Sequence, residues 1–132
     1  MPTRQKPLVL IVDDDLASRL ALQAVLEAGG YFVDSAASAA EAVGKLDERQ
    51  YELVLSDLQM ESPEAGLKVI AHARLMEYKP ATAILTTYRT TRPDDHPPYL
   101  IESEDLPNLL GKIADLISQR AARIVERQLK QA

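Results

Sequence analysis

Residues 8–15 read Leu-Val-Leu-Ile-Val-Asp-Asp-Asp. Five apolar residues in an unbroken run suit a strand buried on both faces of a parallel sheet, and three carboxylates follow at once. Carboxylates a few ångströms apart disfavour one another's ionisation, and each loses hydration as it is covered. A bound cation is the natural compensation. The chain has no cysteine and only two histidines, His72 and His96, which excludes thiolate sites and a histidine-based zinc site. Oxygen ligation remains, and it points to a hard ion such as Mg²⁺.

The 132 residues fit one domain with a short tail, at 46% hydrophobic and 27% charged. No apolar run approaches the length needed to span a bilayer. The N-terminal tail, residues 1–7, lacks the apolar core of a signal peptide, so the cytoplasm is the expected compartment and no membrane partner is expected. The net charge of −5 argues against non-specific nucleic-acid binding, and no nucleic-acid partner is expected. The charge is uneven. Residues 118–132 carry Arg120, Arg123, Arg127 and Lys130 against Glu126, a balance of +3, so the preceding residues carry −8. This division predicts a compact acidic domain over 8–117 and a basic helical extension over 118–132.

Working outward from the opening stretch, apolar runs alternate with helical patterns. The strand candidates are residues 8–12, 31–35, 53–56, 82–86 and 99–101. Residues 16–28 place Leu20, Leu22, Val25 and Leu26 at helical spacing and stop at Gly29-Gly30. Ser38-Ala39-Ala40-Glu41 reads as a capping box opening a helix to about Glu48. A third helix is expected from about Gly66 to Tyr78, before Pro80, and a last one from near Leu106 through Leu109, Ile113 and Ile117. Strand and helix in alternation mean an α/β domain with parallel strands and right-handed crossovers. Residues 88–98, with Pro93, Pro97 and Pro98, predict a loop or one distorted turn in place of a regular helix.

Ligands of a parallel sheet sit at the carboxyl ends of its strands. Three such ends are polar: Asp13, Asp14 and Asp15 after the first, Asp57 after the third, Thr86 and Thr87 after the fourth. If these strands are neighbours, the groups converge on one rim. Several carboxylates plus water make an octahedral Mg²⁺ site. A carboxylate beside that ion can attack a phosphoryl group, with a hydroxyl from the next strand end donating to a phosphoryl oxygen. Each residue taken singly has a plainer reading. Three aspartates before a helix form an N-cap, and Asp15 is assigned that role. A lone aspartate after a strand is a turn residue, and Thr86 is a β-former. The signal is the conjunction. His72 is expected at the surface or boundary of its helix, and His96 is assigned no role.

With these residues in place, the chain resembles the receiver domain of two-component response regulators over roughly residues 7–118. The resemblance implies a flavodoxin-like, doubly wound, five-stranded parallel sheet of order 2-1-3-4-5. It implies Mg²⁺ held by Asp13, Asp14, Asp57 and the backbone carbonyl of Gln59. Asp57, in Asp57-Leu58-Gln59-Met60, matches the phosphoacceptor; Thr86 matches the hydroxyl after the fourth strand; Tyr99 matches the switch aromatic that swings inward when Thr86 moves. The implied partners are a histidine kinase or phosphotransfer protein and an unidentified downstream protein target. Such a domain promotes its own aspartyl phosphorylation and dephosphorylation and is otherwise a signalling domain, not an enzyme.

Three departures accompany the match. The family's lysine, three residues after the switch aromatic, is replaced by Glu102, followed by Ser103. Pointing inward, Glu102 would repel Asp57 and the phosphoryl group; at an effective dielectric of ~20, two unit charges ~5 Å apart interact by roughly 3 kcal/mol. Arg89 or Arg92, from the irregular stretch, is the candidate substitute for that lysine. The interval from Thr86 to Tyr99 is 13 residues, about half a dozen short for the family, so the family's fourth helix is expected to be shortened, irregular or absent. Met60 to Gly66 reads as a one-residue insertion. Residues 118–132 suit a continuation of the last helix, read as a solvated helix end, a coiled-coil segment pairing two copies as a homodimer, or a linker to an output domain. The leading functional expectation is a phosphorylated receiver signalling by protein contact. The alternative is a pseudo-receiver acting as a phosphorylation-independent interaction module. An aspartate-based phosphatase ranks third, because Gln59 stands where a second acid is wanted.

Overall fold

The computed structural model describes residues 6–57, 60, 62, 64–86, 100–102 and 106–131, with the side chains of residues 86, 100–102, 106–107 and 131 left aside. The elements run β1 (Leu8–Val12), α1 (Leu16–Ala28), β2 (Phe32–Ala36), α2 (Ala39–Glu48), β3 (Leu53–Asp57), α3 (Ala65–Leu75), β4 (Ala81–Thr86), β5 (Leu100–Glu102) and α4 (Leu106–Gln131). All strand pairs are parallel. The sheet has the order β2-β1-β3-β4-β5, with β5 a three-residue strand outside β4.

The continuous apolar runs arise because each inner strand serves two cores. Val9 and Ile11 of β1, with Leu53 and Leu55 of β3, pack against Leu22 and Leu26 of α1 and Leu109 and Ile113 of α4. Their alternate neighbours Leu10, Val12 and Val54 pack on the other face against Ala42 and Leu46 of α2 and Val69 and Ala73 of α3. Truncating one fully buried leucine of this set, such as Leu26, to alanine costs about 2–5 kcal/mol.

Local chemistry sets the helix ends. The Asp15 carboxylate accepts from the Ser18 amide at 2.9 Å and the Ser18 hydroxyl at 2.7 Å, which starts α1. Past its end, Gly30 sits at φ +97°, a region that favours glycine. The Ser38 hydroxyl accepts from the Glu41 amide at 3.1 Å, while the Glu41 carboxylate reaches back to the Ala37 amide, one residue before the cap. Helix α3 stops at Leu75, short of the expected Tyr78. Met76 is already extended at ψ 139° and Lys79 takes φ +43°, so the chain turns twice before the buried Pro80. Arg120 holds that turn from α4, donating to the carbonyls of Lys79 at 2.9 Å and Tyr78 at 2.8 Å. Helix α4 runs without a break through residue 118. The expected irregular stretch, residues 88–98, lies outside the described residues.

Between α2 and β3 a polar anchor closes the lower edge of the second core. Tyr51 is fully buried, and its hydroxyl donates to Asp34 at 2.8 Å, where Arg49 also donates at 3.2 Å. Burial, and then the Asp34 carboxylate, push the phenol far above its ordinary pKa. Tyr51→Phe removes one of two donors to a carboxylate that keeps Arg49. The expected loss is about 1–2 kcal/mol, read as a lower urea midpoint at an unchanged slope.

Candidate metal centre at the carboxyl edge of the sheet

Register brings the acidic residues together. Val12 of β1 pairs with Ser56 of β3, so the next residues, Asp13 and Asp57, leave the sheet side by side. Asp57 in turn pairs with Leu85 of β4, and Thr86 with Glu102 of β5. One carboxylate oxygen from each of Asp13, Asp14 and Asp57 lies within 4.8 Å of the others. Asp13 is only 4% exposed, Asp57 is half-buried and Asp14 is exposed. Asp15, the fourth acid of the sequence, is turned away to cap α1.

Asp13 is fixed on three sides. Its amide donates to the Ala36 carbonyl at 3.1 Å, its Oδ1 accepts from the Asp15 amide at 2.9 Å, and its carbonyl accepts from Arg19 Nη1 at 2.8 Å. Burial holds its carboxyl above the ordinary value; the charges of Asp14 and Asp15 push the same way, against the Asp15 amide and a side-chain hydrogen bond with Asp57. Its oxygens converge with those of two other acids, all hard donors, on one open rim. That donor set fits a hard divalent cation, with water completing the shell.

Asp57 is held from below. A β-carbon at Gly66, in the first turn of α3, would stand 2.4 Å from the Asp57 carbonyl oxygen and 3.3 Å from Ser56 Oγ. Only glycine lets α3 approach this strand end; a larger residue forces the two apart, at about 1–3 kcal/mol for overpacking of this kind. Ser56 is fully buried, with its hydroxyl 3.4 Å from the carbonyls of Gly66 and Asp57. Met60 is buried in the core between α2 and α3, which anchors the chain just past Asp57.

Asp13, Asp14 and Asp57 are thus together. The Thr86 backbone lies on the same rim, one residue beyond the partner of Asp57, and the Glu102 backbone lies beside it. The side chains of Thr86 and Glu102, and all of Gln59, Arg89, Arg92, His96 and Tyr99, lie outside the described residues. His72 is at the boundary, 2.8 Å from Asp47 of α2, remote in sequence from the rim. Arg19, Ser56 and Gly66 escaped the sequence reading. The signals were faint: an arginine one turn into the helix that follows the acids, and a glycine opening a helix.

The pH dependence follows in sign. Asp13 has a folded pKa above its unfolded one, so its ionisation opposes folding. That cost is absent below the ordinary value of 3.8, grows as pH rises to the folded pKa, and is complete above it. Asp15 behaves oppositely: its bonds to Ser18 lower its pKa, and their contribution is lost as pH falls through the folded value. In the absence of divalent cations, Asp13→Asn is expected to raise the Tm at pH 7, with the gain closing as pH falls towards 3.8. Mg²⁺ is expected to raise the Tm of the wild type and not that of the variant. Scanning calorimetry with and without Mg²⁺ checks both.

Comparisons with known proteins agree with this geometry. The pattern of the response regulator receiver domain matches residues 9–96. A transcriptional regulatory protein, ZraR of Escherichia coli O157:H7, is 32% identical over 80 residues, 61% of this chain and 18% of its own length. The chain therefore spans about a fifth of that relative. Among solved structures, a response regulator receiver domain protein from Methanospirillum hungatei JF-1 superposes with a TM-score of 0.75 at 24% identity, covering 89% of this chain and 98% of its own. The response regulator TrrA of Thermotoga maritima, solved in complex with Mg²⁺-BeF, superposes with a TM-score of 0.69 at 29% identity, covering 83% and 98%.

Proposed function

This chain belongs to the response regulator receiver domain family, and on that premise we propose that it accepts a phosphoryl group on Asp57 in a two-component phosphorelay. The observation that carries the proposal is the convergence of the Asp13, Asp14 and Asp57 carboxylates within 4.8 Å at adjacent strand ends. Asp13, Asp14, Asp57 and the Gln59 carbonyl would hold Mg²⁺, which when bound offsets the negative charge of the phosphoryl oxygens. Asp57 supplies the nucleophile. One of its oxygens bonds to phosphorus as the P–N bond of a phosphohistidine donor breaks, and the electron pair and a solvent proton stay with the donor imidazole. Asp13, pinned through its backbone by Ala36 and Arg19, holds its carboxylate at the attack side without rearrangement. Thr86, on the rim beyond Asp57, would donate to a phosphoryl oxygen, and Tyr99 would follow it as the switch.

The donor is a histidine kinase or phosphotransfer protein, and output passes to a protein target, in the cytoplasm. No helix among the described residues is long and apolar enough to cross a membrane. The expected exclusion of nucleic acid does not carry over, since the matched relative is a transcriptional regulatory protein.

One observation favours a second reading. The register pairs Thr86 with Glu102, so an acid occupies the rim where the family places its lysine. On this reading the chain is a pseudo-receiver, binding its partner without phosphorylation. The test is incubation with Mg²⁺ and phosphoramidate, followed by intact mass. An acid-stable, base-labile gain of one phosphoryl group, absent in Asp57→Asn, is the expected result. A folded wild type that gains none, beside a Glu102→Lys variant that does, establishes the second reading instead.

A further inference from the structure

The acidic rim is braced from two sides. On the β3 side, Gly66 lets α3 lie against the Asp57 carbonyl. On the β1 side, Arg19 Nη1 donates to the Asp13 carbonyl at 2.8 Å, while the Asp13 amide donates to the Ala36 carbonyl at 3.1 Å. Both main-chain polar groups of Asp13 are engaged. A backbone rotation that carries its carboxylate away from Asp57 therefore breaks at least one of these bonds. Arg19 acts from a fixed base: it is half-buried, and its amide donates to the Asp15 carbonyl at 3.0 Å in the first turn of α1. Its charged donor makes the bond to Asp13 stronger than a neutral pair would.

What this brace resists is the mutual repulsion of Asp13, Asp14 and Asp57, whose oxygens lie within 4.8 Å of one another. The turn between β1 and α1 carries two of the three acids, and α3 lies directly on the third. The turn is thus the side of the rim that can yield. Widening the rim acts unequally on ions of different size. Mg²⁺ demands near-octahedral oxygens at about 2.0–2.1 Å, whereas Ca²⁺ takes six to eight at about 2.3–2.6 Å in variable geometry. A site held narrow suits the first ion, and a site free to open suits the second.

Resting on the reading that Asp13, Asp14 and Asp57 hold Mg²⁺, we propose that Arg19 is a positioning residue that sets the size selectivity of the site. It keeps Asp13 close to Asp57, and so favours Mg²⁺ over Ca²⁺. It acts through its bond to the Asp13 carbonyl and not through its charge. The two effects separate cleanly. Both ions carry the same charge, so removing the guanidinium charge changes the attraction of the site for both alike and cancels in the ratio of their affinities. What survives in the ratio is geometry.

Displacement of Mn²⁺ from the full chain by Mg²⁺ and by Ca²⁺, followed through the paramagnetic resonance of free Mn²⁺, gives that ratio. Arg19→Met is expected to lower affinity for Mg²⁺ about tenfold or more, the usual cost of removing an outer support of a metal ligand, and affinity for Ca²⁺ by a smaller factor, so the ratio falls. Ser18→Ala removes a hydroxyl that bonds Asp15, which loosens the same turn of α1 without touching Asp13. Its ratio is expected to stay at the wild-type value. Thermal transitions confirm that each variant is folded at the temperature of the titration. A ratio unchanged or raised in Arg19→Met, or one that falls as far in Ser18→Ala, overturns the proposal and leaves the metal site standing. A folded wild type that binds none of the three ions overturns the metal-binding reading itself, and the proposal with it.

Discussion

The structure turns on negative charge held out of water. Asp13 is nearly fully buried, Asp57 stands beside it, and Asp14 completes a group whose oxygens lie within 4.8 Å. Uncompensated, such a cluster opposes folding, because each carboxylate loses hydration and repels its neighbours. A fold that retains it is organised around what neutralises it. On the proposed function that is a divalent cation, which would also offset the negative charge of an added phosphoryl group. The cluster's cost and its proposed function share one origin.

The rest of the molecule keeps those groups in place. Parallel pairing of Val12 with Ser56 fixes the spacing between Asp13 and Asp57. Two cores, one per face, make that pairing rigid. Gly66 lets α3 lie directly on the Asp57 backbone, and Arg19 ties the Asp13 carbonyl to α1. These contacts position main chain more than side chain, so the acids are presented with little freedom to splay apart as their charges would drive them.

Much of this was legible in the sequence because burial on both faces leaves an unmistakable mark. The runs at 8–12 and 53–55 contain no polar residue, and the structure makes them adjacent parallel strands. The α1 cap was legible for a local reason: Asp15 binds a residue three positions on. Where the sequence misled, distant parts of the chain decide. Helix α3 ends early because Lys79 adopts a left-handed turn whose carbonyl is held by Arg120, forty-one residues away. The roles of Arg19, Ser56 and Gly66 depend on which backbone atom each one faces, which spacing does not encode. The tail, by contrast, follows the expectation that residues 118–132 continue the last helix: α4 runs unbroken to Gln131 across the acidic-to-basic change.

The central claim is that the three acids form one divalent-cation site, and Mn²⁺ as a stand-in for Mg²⁺ tests it most directly. Electron paramagnetic resonance of free Mn²⁺ during titration is expected to show one ion bound per folded chain, displaced by Mg²⁺. Asp13→Asn and Asp57→Asn should each release it. A folded wild type that binds no Mn²⁺, or binding that is unchanged in both variants, contradicts the account.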